Sequence, residues 1–99
     1  MQYSEAVKII QGYLQAKPVQ KAYLFGSYAR GDSKTKSDID LLVELDKNHQ
    51  MGLEFIQMKL DLEKLLHHKV DLLTTNSISK YIYPAVEREK KLIYERRAR

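Results

Sequence analysis

Gly26-Ser27-Tyr28-Ala29-Arg30-Gly31, followed by Ser37-Asp38-Ile39-Asp40-Leu41-Leu42-Val43, decides how this chain folds. A glycine-serine turn closes one apolar segment, and a second apolar segment opens on two aspartates spaced i and i+2. Upstream, Lys21 to Phe25 is short and aromatic-rich, and reads as a strand running into Gly26. Downstream, Asp38 to Leu45 alternates. Ile39, Leu41, Val43 and Leu45 share one face, and Asp38, Asp40, Leu42 and Glu44 share the other, because successive strand side chains point to opposite sides. The all-apolar face must be core. Both aspartates therefore stand together at the start of the strand, directed away from that core. The polar stretch from Ser27 to Ser37 reads as a loop with one helical turn.

Working outward, Tyr3, Ala6, Val7, Ile10, Tyr13 and Leu14 recur at three- and four-residue steps. That spacing predicts an amphipathic helix over about 4–16, with Ser4 as candidate N-cap and Lys17-Pro18 as its end. A second helix is expected over about 52–66. At ~100° per residue its apolar residues form two stripes, Phe55, Met58, Leu62, Leu65 and Leu66 on one side and Leu53, Ile56 and Leu60 nearly opposite. One stripe can pack on the sheet, and the other needs a second cover. Val70 to Thr74 reads as a third strand with Asp71 near its start. Ile78, Tyr81, Ile82, Ala85, Val86 and Glu89 suggest a last helical region interrupted or restarted at Pro84, and Lys91 to Tyr94 a short edge strand. The fold class expected is α+β: a small mixed sheet with helices packed on one face, in one domain spanning 1–99.

Apolar residues at 43% and charged residues at 30% are too balanced for a disordered chain. Net charge is +4, with a basic end at Arg96, Arg97 and Arg99 that suits phosphates, nucleic acid or an acidic partner, or serves as a solvated tail. The absence of cysteine removes disulfides and thiolate zinc sites. His49, His67 and His68 lack ligand spacing and read as surface residues. The N-terminus has no cationic start leading into an apolar stretch, and no apolar run approaches the ~18 residues of a membrane span, so a cytoplasmic protein away from membranes is expected.

The chemistry lies in the turn and the aspartates. Gly26 lets the backbone approach a phosphate, and exposed N–H groups with the Ser27 hydroxyl can hold phosphate oxygens. Asp38 and Asp40, on one face of one strand, can bridge a pair of Mg²⁺ ions. Asp71, opening another strand, can supply a third carboxylate and accept a proton from a nucleophile. Arg30 either reaches the triphosphate as a planar donor fork or pairs with an aspartate to brace the loop, and the residues leave both open. Ser37 caps the turn or touches a phosphate.

Taken together, Gly-Ser-x10-Asp-x-Asp, an aromatic strand before it, Leu-Leu-Val after it and a further downstream aspartate resemble the minimal nucleotidyltransferase (MNT) family of the DNA polymerase β superfamily. The resemblance in element order covers nearly the whole chain. It implies transfer of a nucleotidyl group from ATP with Mg²⁺, two ions in all, as cofactor. Small MNT proteins of this kind resemble the antitoxin halves of toxin–antitoxin modules that place AMP on a tyrosine hydroxyl of a HEPN-domain ribonuclease toxin. A HEPN toxin is thus the partner implied, in a hetero-oligomer or with homo-oligomerisation, and no direct nucleic-acid binding is expected. Two other functions fit the same residues: an adenylyltransferase acting on an antibiotic or similar small hydroxyl compound, and a catalytically silent antitoxin that acts by binding alone.

Overall fold

The computed structural model describes residues 2–26, 29, 38–46, 52–75, 80–81 and 83–96. Among them run helix α1 (Tyr3–Leu14), strands β1 (Val19–Phe25) and β2 (Ile39–Leu45), helix α2 (Leu53–Leu66), strand β3 (Val70–Thr74), helix α3 (Tyr83–Glu89) and strand β4 (Lys91–Glu95). The strands form one sheet in the order β3-β2-β1-β4. β1 pairs antiparallel with both β2 and β4, whereas β2 and β3 run parallel. A parallel pair cannot be joined by a tight turn. The crossover it requires contains α2, and this makes the sheet mixed.

α1 and α2 pack on one face of the sheet, as expected. Ala6, Ile10 and Leu14 of α1 and Met58, Leu62 and Leu66 of α2 enter one core cluster with Ala22 and Leu24 of β1 and Ile39, Leu41 and Val43 of β2. Burying a side chain of this size contributes about 1.5–3 kcal/mol, so the cluster dominates the stability of the fold. β1 begins two residues earlier than its alternation suggests. A register shift between Val19 and Lys21 inserts an extra residue, so Val19 and Ala22 are both buried on the same side.

Several local expectations are corrected. Ser4 is not the N-cap of α1. Gln2 holds that position without a side-chain cap, and its carbonyl accepts from the Ala6 N–H at 3.1 Å, which places Ser4 inside the first turn. The helix stops at Leu14, because the chain must turn through Lys17-Pro18 before β1, and Pro18 disfavours helical backbone at Lys17. Leu65 is half exposed although it shares the angular sector of Met58. Tyr13 and Lys17 line a notch between the helices with Glu54, Gln57 and Met58. The opposite stripe is uncovered, with Leu53 84%, Ile56 55% and Leu60 51% exposed. Arg96 is no part of a free tail. Its guanidinium donates to Asp46 Oδ2 at 2.5 Å and to the Lys17 carbonyl, and its N–H donates to the Gln20 carbonyl. Arg97 and Arg99 fall outside the described residues.

The two helices are tied by a polar contact as well as by the core. The Tyr13 hydroxyl donates to Asp61 Oδ2 at 2.6 Å, and Gln57 Nε2 donates to Oδ1 at 2.8 Å. The Tyr13 bond, then the Gln57 bond, hold the Asp61 carboxyl below its ordinary value. Burial, then the carboxylate, push the phenol well above its own. A lowered folded-state pKa stabilises above the unfolded value and loses that contribution as pH falls through the folded one. Tyr13→Phe is therefore expected to lower the melting temperature by a few degrees at neutral pH and to flatten its decline below about pH 4. A melting curve that superimposes on the wild type at both pH values would show that the contact contributes nothing.

Candidate active site

The antiparallel β1–β2 pair and the parallel β2–β3 pair bring the end of β1 and the starts of β2 and β3 to one edge of the sheet. Phe25 is the register partner of Asp40, and Asp40 is the register partner of Asp71. Residues paired in register share a face, so the Asp40 and Asp71 carboxylates stand side by side on adjacent strands, on the face opposite the α1–α2 core. Asp40 is half-buried and Asp71 is exposed. Asp38 lies exposed just ahead of β2, where the Ile39 N–H donates to the Lys69 carbonyl and fixes the entry of the strand.

Gly26 closes β1 against this pair. Its φ of +73° is in the left-handed region, and a Cβ built on it would lie 2.1 Å from Asp40 Oδ2. Only glycine fits there, on both counts. Ala29, a few residues on, is buried in the main core. Ser27, Arg30 and Ser37 lie outside the described residues.

Among the described residues no three His, Asp or Glu side chains converge closely enough to form a preformed metal cage. Unscreened carboxylates repel one another, and Mg²⁺ is typically held by one or two carboxylates with substrate phosphates and water completing its shell. An open set of hard oxygen donors, Asp40 and Asp71 in register with Asp38 ahead of them, fits that cation.

The same face carries a feature that no sequence motif flagged. Two residues along from the aspartates, Tyr23, Leu42, Glu44, Thr75, Tyr83, Glu87 and Lys90 line an open hollow of about 270 Å³. Its floor residue Leu42 is fully buried yet stands apart from the main core. Its far wall is α3, which gives this second face of the sheet part of its cover. The Lys90 ammonium sits 4.5 Å from the centre of the Tyr23 ring and donates to Glu87 Oε1 at 2.9 Å. That bond lowers the carboxyl of Glu87 and raises the ammonium of Lys90. The alternation Asp40, Leu42, Glu44 was legible in the sequence; the wall contributed by α3 was not.

Carboxylates on adjacent strands, with a glycine-only turn pressed against one of them on a small mixed sheet, make the arrangement of a nucleotidyl-transfer enzyme. The chain belongs to the polymerase beta nucleotidyltransferase family, which matches residues 8–99. A Methanocaldococcus jannaschii relative whose name proposes a protein adenylyltransferase is 44% identical over 78 residues, covering 77% of this chain and 76% of the relative. The protein adenylyltransferase MntA of Thermococcus cleftensis is 39% identical over 71 residues, covering 72% and 71%. The same fold recurs in the MNT antitoxin of a solved complex with a tri-AMPylated Shewanella oneidensis HEPN toxin, with a TM-score of 0.73, 23% identity, and 95% and 73% of the two chains covered. That likeness is one of fold. Among the described residues no helix is long and apolar enough to cross a membrane.

Proposed function

We infer that this protein transfers AMP from ATP to a tyrosine hydroxyl of a HEPN-domain toxin and thereby acts as the antitoxin of a two-component module. The observation that carries the transfer chemistry is the contact of Gly26 with Asp40, beside Asp71 in register. The protein acceptor is supported by the adenylyltransferase relatives and by the fold shared with an antitoxin that is bound to its toxin. The uncovered stripe Leu53, Ile56 and Leu60 on α2 agrees with a partner chain.

In this reading the turn opened by Gly26 receives the β- and γ-phosphates, with Ser27 donating to a phosphate oxygen and Arg30 close by. Asp38 and Asp40, with Asp71, hold Mg²⁺, which when bound offsets the negative charge of the triphosphate and favours ionisation of the attacking hydroxyl. Asp71 takes the proton of the acceptor hydroxyl as its oxygen approaches the α-phosphorus, and pyrophosphate leaves on the far side. Ser37 closes the turn ahead of Asp38.

The test is to recover the protein from its native cells and search co-purifying chains by mass spectrometry for AMP-modified tyrosine. A HEPN-domain chain so modified is the expected result, and AMP found only on small hydroxyl compounds would overturn it. With that acceptor in hand, Asp71→Asn is expected to lose much more in turnover than in ATP affinity, because its proton transfer occurs in the transition state. An unchanged rate with weakened ATP binding would reduce Asp71 to a ligand.

A further inference from the structure

We propose that the acceptor protein comes in over the outer edge of β3 and docks on the uncovered stripe of α2, Leu53, Ile56 and Leu60, through an apolar ridge with an acidic border. The proposal rests on the reading of the Gly26 turn as the triphosphate cradle. Displacement at the α-phosphorus sets the attacking oxygen and the leaving pyrophosphate roughly in line, on opposite sides of that atom. Phe25, Asp40 and Asp71 are register partners in one row across β1, β2 and β3, and Gly26 stands at the β1 end of that row. With pyrophosphate held at the Gly26 end, the acceptor oxygen enters from the other end. That end is Asp71, exposed on β3, the last strand of the sheet.

α2 borders the same edge. The Ile39 N–H donates to the Lys69 carbonyl and the Thr75 N–H to the Val43 carbonyl, so the odd-numbered residues of this strand turn their backbone groups to β2. The Val70 N–H therefore points outward, and there it donates to Glu63 Oε2 at 3.0 Å. Asp61, which accepts from Tyr13 of α1, lies about 200° round the helix from Glu63. One flank of α2 thus faces α1, and the other borders the outer edge of β3. Ile56 lies within about 20° of Glu63 on that second flank, and Leu60 and Leu53 continue from it onto the face turned away from the core. The stripe, the Glu63 cap and Asp71 follow one another round a single edge of the molecule.

Charge selects the occupant. Lys59, on the same flank between Ile56 and Glu63, and Lys69, at the entry of β3, are exposed and make no ion pair among the described residues. A partner whose apolar ridge is bordered by Asp or Glu answers both. Self-association across a twofold axis at the middle of the stripe would instead set the two copies of Lys59 side by side, like charge against like. Docking on the stripe withdraws from water three large apolar side chains that are half or more exposed, and holds the acceptor hydroxyl beside Asp71.

The test uses as acceptor the chain found AMP-modified in native cells, prepared in its unmodified form, with initial rates measured against its concentration and Mg·ATP affinity measured separately by calorimetry. Ile56→Glu is expected to raise KM for the acceptor at least about thirtyfold while kcat and Mg·ATP affinity stay within about twofold. Leu53→Glu, at the most exposed point of the stripe, should act in the same direction where folding is not at stake. Lys59→Glu should raise KM about threefold at low salt and less at high salt. Gly12→Glu, on α1 with nothing within 4 Å of an added Cβ, should leave KM unchanged. A photo-crosslinking amino acid in place of Leu60 should join this chain to the acceptor. An unchanged KM in both stripe variants, or crosslinks only to a second copy of this chain, would overturn the docking surface alone. Native cells that yield no AMP-modified protein would overturn the reading beneath it and this one together.

Discussion

Asp40→Asn is expected to lower AMP transfer by at least about a thousandfold, about 4 kcal/mol of transition-state stabilisation. Asp40 is the residue on which the site converges. It is in register with Asp71 on one side and Phe25 on the other, and its Oδ2 occupies the space that a side chain at position 26 would need. An amide there keeps the shape but halves the hard oxygen donors and removes the charge that holds a divalent cation against a triphosphate. Asp38→Asn is expected to behave in the same sense. Asp38→Asn should not lower the melting temperature, because it removes an exposed charge from a cluster of like charges. Transfer from α-labelled ATP is the measurement. Near-normal labelling by both variants would show that the nucleotide is processed elsewhere.

Gly26→Ala is expected to cost about a hundredfold in transfer, and to lower thermal stability as well. Left-handed backbone costs a residue with a Cβ about 1–2 kcal/mol, which the φ of +73° imposes here. The larger effect is local and steric. A methyl group 2.1 Å from Asp40 Oδ2 forces either the carboxylate or the turn to move, and both belong to the reacting site. ATP affinity and turnover should therefore fall together, in contrast to Asp71→Asn. An alanine variant that transfers at the wild-type rate would detach the turn from the chemistry.

How much of this was legible without coordinates follows from the range of the interactions involved. Alternation along 39–45 is a property of one strand, and it correctly put Ile39, Leu41 and Val43 in the core and Asp40 on the other face. The first-turn position of Pro84 and the strand at Lys91 were likewise readable, because proline geometry and β propensity act over a few residues. The Ser4 cap failed as a local rule, since α1 already begins at Tyr3, with Gln2 in the cap position and Ala6 in the core. Nor did the helical wheel of α2 foresee the exposure of Leu65, which depends on what the rest of the fold lays against that part of the helix.

The sequence by itself determined the class of fold, the polarity of each strand face and the kinds of group available for chemistry. All of these depend on residue type and short-range periodicity. Only the tertiary structure decided that Asp40 and Asp71 meet, that Gly26 has no room for a side chain, that Arg96 clasps Asp46 and the Lys17 carbonyl, and that α3 walls a hollow beside the carboxylates. Each of these joins residues far apart in the chain, through a register that α2 and the core impose together. Strand pairing can slip without changing any local preference, and a slip of one residue along β3 would carry Asp71 to the opposite face.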